Sequence, residues 1–196
     1  MNYKTLSSKV MRVFDLADEQ SRKFVRKTGL ICPENCGECC RSKKVFATVL
    51  ECIPASLYLW QIGKGDMVYD LLGSDTERTE CIFYKENNDE RRKGHCSIYP
   101  YRFLVCRLFS NSVQRDADGK SQLLTCKIIK QQSKIEFDKA TSQLSEGLKA
   151  PIARDFAMRI YAIDPFRGKE FLPVNQAIKI ALEITSKHPE MFSKAS

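Results

Sequence analysis

Apolar positions recur at three- and four-residue steps in several stretches of this chain, and each such stretch predicts an amphipathic helix. The first covers residues 3–28, where Leu6, Val10, Val13, Phe14, Ala17, Phe24 and Val25 carry the pattern and Gly29 is a natural stop. A second helix is predicted from Thr48, because Thr48 and Glu51 have the spacing of a capping box. Pro54 lies early in it and removes one backbone donor, so a bend or a later start is expected there. The stretch "DMVYDLL" reads as a short helix among Gly63, Gly65 and Gly73, and "ENNDERRKG" (86–94) as an exposed turn or loop.

The last third reads as helices throughout. "SKIEFDKATSQLSEGLKA" opens with Ser133 and Glu136 at capping-box spacing. "PIARDFAMRIYAI" opens with Pro151, which suits a first helical turn. "VNQAIKIALEITSK" places Val174, Ala177, Ile178, Ala181 and Leu182 on one face. No repeat and no low-complexity segment interrupts the pattern. The expected fold is mainly α, a helical domain with irregular, metal-organised cysteine loops.

Length and composition fit that picture. A chain of 196 residues can bury a sizeable core without crosslinks, so its nine cysteines are not needed to hold a miniature scaffold together. The richest apolar stretches are broken by Glu51, Pro54, Arg102 and Arg107, which leaves no candidate membrane span. The first twenty residues interpose polar positions where an export signal needs an unbroken apolar run. The expected location is therefore the cytoplasm, where clustered cysteines act as metal ligands or redox groups sooner than as structural disulfides. The net charge of +8 counts every thiol as neutral; eight thiolates around two dications would lower it to about +4. The basic residues are spread along the chain, so the charge is read as a solvated surface, not as a nucleic-acid interface.

The chemistry is concentrated in "ICPENCGECCRSKK" (31–44), which packs Cys32, Cys36, Cys39 and Cys40 into nine positions around Pro33 and Gly37. Cys81, Cys96, Cys106 and Cys126 follow, while Cys52 falls inside an amphipathic helix and is read as a packed thiol. Soft thiolates select zinc, iron–sulfur clusters or Cu(I) over hard cations. Adjacent side chains such as those of Cys39 and Cys40 tend to diverge, which suits two neighbouring sites or one ligand supported by a second thiol. Arg41, Lys43, Lys44, Arg102 and Arg107 lie close to the cysteines in sequence and are expected to donate charge-assisted bonds to sulfur. Tyr99 and Tyr101 are expected either to wall the site or, equally, to fill the core. His95 reads as a polar loop residue and His188 as part of a helix end, neither as a ligand. No Ser/His/Asp set, phosphate loop or paired carboxylate stands out.

"CPENCGECCR", "CIFY" and "GHCSIYPYRFLVCRLF" together resemble the CxxCxxCC cysteine-cluster family, the YkgJ-like zinc- or iron-chelating domains. The family's cluster falls on Cys32, Cys36, Gly37, Cys39, Cys40 and Arg41, and its middle cysteine on Cys81. Its last element falls on Cys96, Ile98, Tyr99, Arg102, Cys106, Arg107 and Phe109. The first gap is one residue longer than the family's, and Phe103 stands where the family has proline. The resemblance covers roughly residues 30–126. It divides the chain into an N-terminal helix (1–29), a cysteine-cluster metal-binding segment (30–126) and a C-terminal helical segment packed on it (127–196), all within one structural domain.

The resemblance implies chelation, with Cys32, Cys36, Cys39, Cys40, Cys81, Cys96 and Cys106 as ligands and Arg41, Tyr99, Arg102 and Arg107 around them; Cys126 joins the expected ligands from the wider set of cysteines. A structural zinc site normally shows two Cys-x2-Cys knuckles, and this chain has one, from Cys36 to Cys39. Iron–sulfur clusters tolerate uneven spacing, so iron is slightly preferred over zinc. "CPENCGEC" also has the Cys-x3-Cys-x2-Cys spacing of radical S-adenosylmethionine enzymes, but the helical pattern after Cys40 does not suit their barrel. The same domain occurs in flagellin lysine methylases, so the alternative function is an iron–sulfur enzyme modifying a protein or small molecule. Enzymatic activity stays open on these grounds. A metal ion is the expected partner, with a protein partner second.

Overall fold

The computed structural model describes residues 2–33, 36–75, 77–87 and 94–186. Among them ten α-helices follow one another: α1 (Tyr3–Thr28), α2 (Glu38–Arg41), α3 (Val49–Gln61), α4 (Gly65–Ser74), α5 (Leu104–Leu108), α6 (Lys127–Gln132), α7 (Lys134–Ser145), α8 (Ala153–Ile163), α9 (Pro165–Gly168) and α10 (Val174–Ser186). The strands are two or three residues long: β1 (Phe46–Ala47), β2 (Tyr84–Glu86), β3 (Gly94–Cys96), β4 (Val113–Arg115), β5 (Ser121–Leu123) and β6 (Leu172–Pro173). They pair antiparallel as three ribbons, β1 with β6, β2 with β3 and β4 with β5. The fold is therefore mainly α, as the apolar periodicity predicts. No helix among the described residues is long and apolar enough to cross a membrane.

The chain forms two compact units. The first comprises Met1–Arg12, Asn35–Phe103 and Ile160–Ser196. Its centre is α10 packed along α3. The expected stripe of Val174, Ala177, Ile178, Ala181 and Leu182 is buried, as are Leu50, Ile53 and Leu59 of α3. Each fully buried aliphatic side chain contributes roughly 1.5–3 kcal/mol. Polar atoms within this interface are paired: Ser56 Oγ lies 2.5 Å from Thr185 Oγ1, and Trp60 Nε1 donates to the same Thr185 oxygen at 3.0 Å. A buried hydroxyl left without a partner would cost more than the bond itself contributes.

Helix α3 starts where the capping box predicts. Glu51 N–H donates to Thr48 Oγ1 at 3.2 Å, and Thr48 N–H donates to Glu51 Oε1 at 3.2 Å. The helix runs through Pro54 and forgoes one backbone bond. At the other end of the unit, β6 leads straight into α10, and Val174 N–H donates to the Val45 carbonyl at 3.0 Å. That bond ties the first turn of α10 to the chain just after the cysteine cluster.

The second unit comprises Val13–Glu34 and Leu104–Arg159. Phe24, Leu30, Ile129 and Ala140 are fully buried at its centre, with Leu123, Cys126, Phe137 and Leu144 packed against them. Gly29 ends α1 in the left-handed region at φ +75°, where a residue with a Cβ is disfavoured.

Three local expectations need correction. Ser133 precedes α7 but makes no capping bond with its side chain. The reason is α6, which the apolar pattern does not announce and which runs up to Ser133. Ser133 N–H donates to Ile129, so its backbone never takes the extended entry a capping box requires. The stretch 32–40, read as loop, holds the single turn α2, entered through Gly37 at φ 63°. Glu86 and Gly94, read as loop ends, pair across the β2–β3 ribbon; residues 88–93 and His188 lie outside the described residues.

Candidate metal centre

None of the nine cysteines forms a disulfide. Five candidate ligands, Cys36, Cys39, Cys40, Cys81 and Cys96, belong to the first unit. Two glycines bring their segments together. A Cβ on Gly37 would stand 2.7 Å from Tyr84 Cε2 and 2.9 Å from the Gly94 carbonyl oxygen. A Cβ on Gly94 would stand 2.3 Å from Tyr84 Cε2 and 2.5 Å from the Lys85 carbonyl oxygen. The cluster loop thus lies directly on the β2–β3 ribbon and against the Tyr84 ring, with Tyr84 opposite Cys96 in register. The buried Tyr84 hydroxyl has no hydrogen-bond partner among the described residues.

Backbone bonds fix the buried Cys81 beside this loop. Cys81 N–H donates to the Cys40 carbonyl at 2.8 Å, and Tyr84 N–H donates to the Cys81 carbonyl at 2.9 Å. On either side of Cys81, Ile82 N–H donates to Asn175 Oδ1 at 2.9 Å, and Asn175 Nδ2 donates to the Glu80 carbonyl at 2.8 Å.

The electrostatics of the thiols differ sharply. The Cys40 thiol donates to the sulfur of Cys39, and with the backbone N–H groups of Cys40 and Cys39 it lowers Cys39 to about 7, against the opposing effects of burial and Glu38. Burial pushes Cys81 up to about 12, the negative charges of Cys96 and Cys39 add to the rise, and the Phe83 N–H and Arg78 oppose it. Cys81 is therefore close enough to Cys96 and to Cys39 to sense the charge of each. Cys40 supports Cys39, the arrangement in which one of two adjacent thiols donates to the other. An all-thiol donor set with one ready thiolate fits a soft metal such as zinc or iron and not a hard cation. Among the described residues no three His, Cys, Asp or Glu side chains stand close enough together to hold an ion.

The expected basic and aromatic neighbours have other contacts as well. Arg41 bonds Glu38 Oε1 at 3.1 Å and Glu80 Oε1 at 3.4 Å. Arg102 donates to the Tyr99 carbonyl at 3.2 Å and lies over the Tyr99 ring, 4.2 Å from its centre. Tyr101 stacks on Tyr58 at 4.5 Å. His95 is exposed, with Nδ1 2.9 Å from Asn87 Oδ1. Cys52 is buried within α3.

The other three candidate ligands belong to the second unit. Cys32 is exposed after α1, Cys106 lies in α5, and Cys126 caps the start of α6 on the apolar cluster. Next to Cys106, the buried Arg107 guanidinium pairs with Asp18 and lies 4.5 Å from the centre of the Phe14 ring. Gly94, Tyr84 and Asn175 escape a reading from sequence. Gly94 carried a signal, a glycine two residues before a candidate ligand; Asn175 carried none, being one polar residue in a helical first turn.

Residues 31–132, more than half of the chain, match the family described as "CxxCxxCC: Putative zinc- or iron-chelating domain". No curated protein and no solved structure gives a match. The matched span covers the cluster loop, the Cys81 turn, the β2–β3 ribbon, α5 and Cys126, and so the chain belongs to the CxxCxxCC family of zinc- or iron-chelating domains.

Proposed function

We propose that this protein chelates a soft metal in its first unit through Cys36, Cys39, Cys81 and Cys96, with Cys40 as a further ligand or as the donor that keeps Cys39 ionised. The observation that carries the reading is the Cys40–Cys81 backbone bond, which joins the segment of the half-ionised Cys39 to the buried Cys81, a thiol that senses the charges of both Cys39 and Cys96. Cys32, Cys106 and Cys126, in the second unit, remain candidate ligands by their place among the chain's cysteines. Iron in an iron–sulfur cluster is preferred over zinc, because the one Cys-x2-Cys knuckle and the uneven spacing suit a cluster better. The ion draws the thiols together, since metal binding and the closing of such loops are one process. The work this serves is metal handling or the docking of a protein partner in a reducing cytoplasm.

Anaerobic purification followed by iron, sulfide and zinc analysis tests the reading. The expected result is bound iron with sulfide and a broad visible charge-transfer absorption. Cys39→Ser is expected to remove at least about nine-tenths of the metal, and Cys52→Ala none. Wild-type protein that holds neither metal after loading with either would overturn the proposal.

Binding is also expected to release protons. At pH 7 Cys81 is protonated and Cys39 is about half ionised, yet both bind as thiolates. Adding Zn²⁺ to metal-free protein in weak buffer should therefore acidify the solution. Affinity should fall as pH is lowered, by about tenfold per pH unit for each proton displaced. Binding without acidification would remove Cys81 from the ligand list.

A further inference from the structure

We infer that Asn175, on the C-terminal helix α10 and outside the matched family span, is a positioning residue for the metal thiol of Cys81; the inference rests on the chelation proposed above. Its side-chain amide copies a backbone edge. Oδ1 accepts from Ile82 N–H at 2.9 Å and Nδ2 donates to the Glu80 carbonyl at 2.8 Å, so the two peptide groups flanking Cys81 are held at once. A turn that projects a ligand has few backbone partners of its own, and its polar groups must find them elsewhere.

Asn175 is itself firmly held. Val174, just before it, is buried and donates its N–H to the Val45 carbonyl, four residues beyond Arg41. Ala177 and Ile178, just after it, are buried in the core that α10 shares with α3. The result is a closed circuit of bonds: Cys40 to Cys81, the Cys81 turn to Asn175, α10 to Val45, and the chain from Val45 back to the cluster. Removing Asn175 opens the circuit at the one point where a side chain closes it. Residues that orient a ligand without touching the metal typically change affinity 10–100-fold when lost.

The test uses full-length, metal-free protein titrated anaerobically with Co²⁺, whose thiolate charge-transfer and d–d bands report both affinity and ligand geometry. Wild type, Asn175→Ala, Cys81→Ser and Thr185→Val are compared. Thr185→Val weakens α10 through its far end, where Thr185 bonds Ser56 and Trp60, and controls for a loosened helix. Asn175→Ala is expected to lose about 10–100-fold in Co²⁺ affinity and to shift the d–d bands, with Thr185→Val close to wild type. In the same metal-free protein, hydrogen exchange at the Ile82 amide should accelerate in Asn175→Ala alone. Asn175→Ala matching Thr185→Val in affinity, bands and Ile82 exchange would overturn the inference and leave the chelation reading intact, whereas wild-type affinity in Cys81→Ser would overturn the inference and remove Cys81 from the proposed ligands. A wild-type protein that takes up no Co²⁺ would overturn both.

Discussion

Arg107→Ala is expected to destabilise the unit that holds it by about 3–5 kcal/mol. The guanidinium is 4% exposed as a residue, pairs with Asp18 of α1 and rests over Phe14, whose ring is fully buried. Ser21 reinforces the same contact by donating its hydroxyl to the Arg107 carbonyl at 3.4 Å. Alanine removes the cation and leaves the Asp18 carboxylate largely buried beside an apolar ring, which is where the cost arises. Arg107→Met combined with Asp18→Leu should recover most of the loss, because neither charge then remains to be desolvated. Urea unfolding of the full chain followed by circular dichroism reads both variants. A loss below about 1 kcal/mol for Arg107→Ala would mean that the pair behaves like an exposed one. Cys106 adjoins Arg107 on α5, so the ion pair also fixes where that thiol is presented.

The second large effect is expected at Gly94. Alanine there meets the Tyr84 ring at 2.3 Å and the Lys85 carbonyl oxygen at 2.5 Å. Tyr84 is also packed against Gly37, and Lys85 is backbone of the paired strand, so neither can give way freely. The ribbon must shift, and Cys96 moves with it relative to Cys39 and Cys81. Gly94→Ala is expected to cost about 1–3 kcal/mol and to lower metal content by about tenfold or more. Gly63→Ala is the matched control. It carries a left-handed strain at φ +69° with nothing within 4 Å of its Cβ, so it should lose stability and keep its metal. Wild-type metal content in purified Gly94→Ala would show that the ribbon does not set the thiol positions.

The helices were legible in the sequence because each buries one stripe. The α10 stripe from Val174 to Leu182 is the clearest case, and the Thr48–Glu51 box marked the start of α3 by its spacing alone. The ribbons were not legible, since two or three residues carry no period to read. The box expected at Ser133 failed because a cap depends on how the chain arrives, and the arrival of α6 is not encoded at positions 133 and 136. At the candidate centre the cysteine spacing pointed to segments that lie within the family match. What brings them together is a pair of close approaches at Gly37 and Gly94 and an amide, Asn175, ninety-four residues beyond Cys81 in the chain. The two glycines at least stand close to cysteines in the sequence, whereas the Asn175 contacts are set by the folded backbone and leave no local motif.

The circuit closed by Asn175 has a consequence for how the protein is made. Translation runs from the amino end, so every cysteine leaves the ribosome before α10 has been synthesised, and the growing polypeptide carries its thiols without the brace that aims Cys81. The span shared with the family is thus braced at Cys81 only once α10, which lies outside that span, has been added to it.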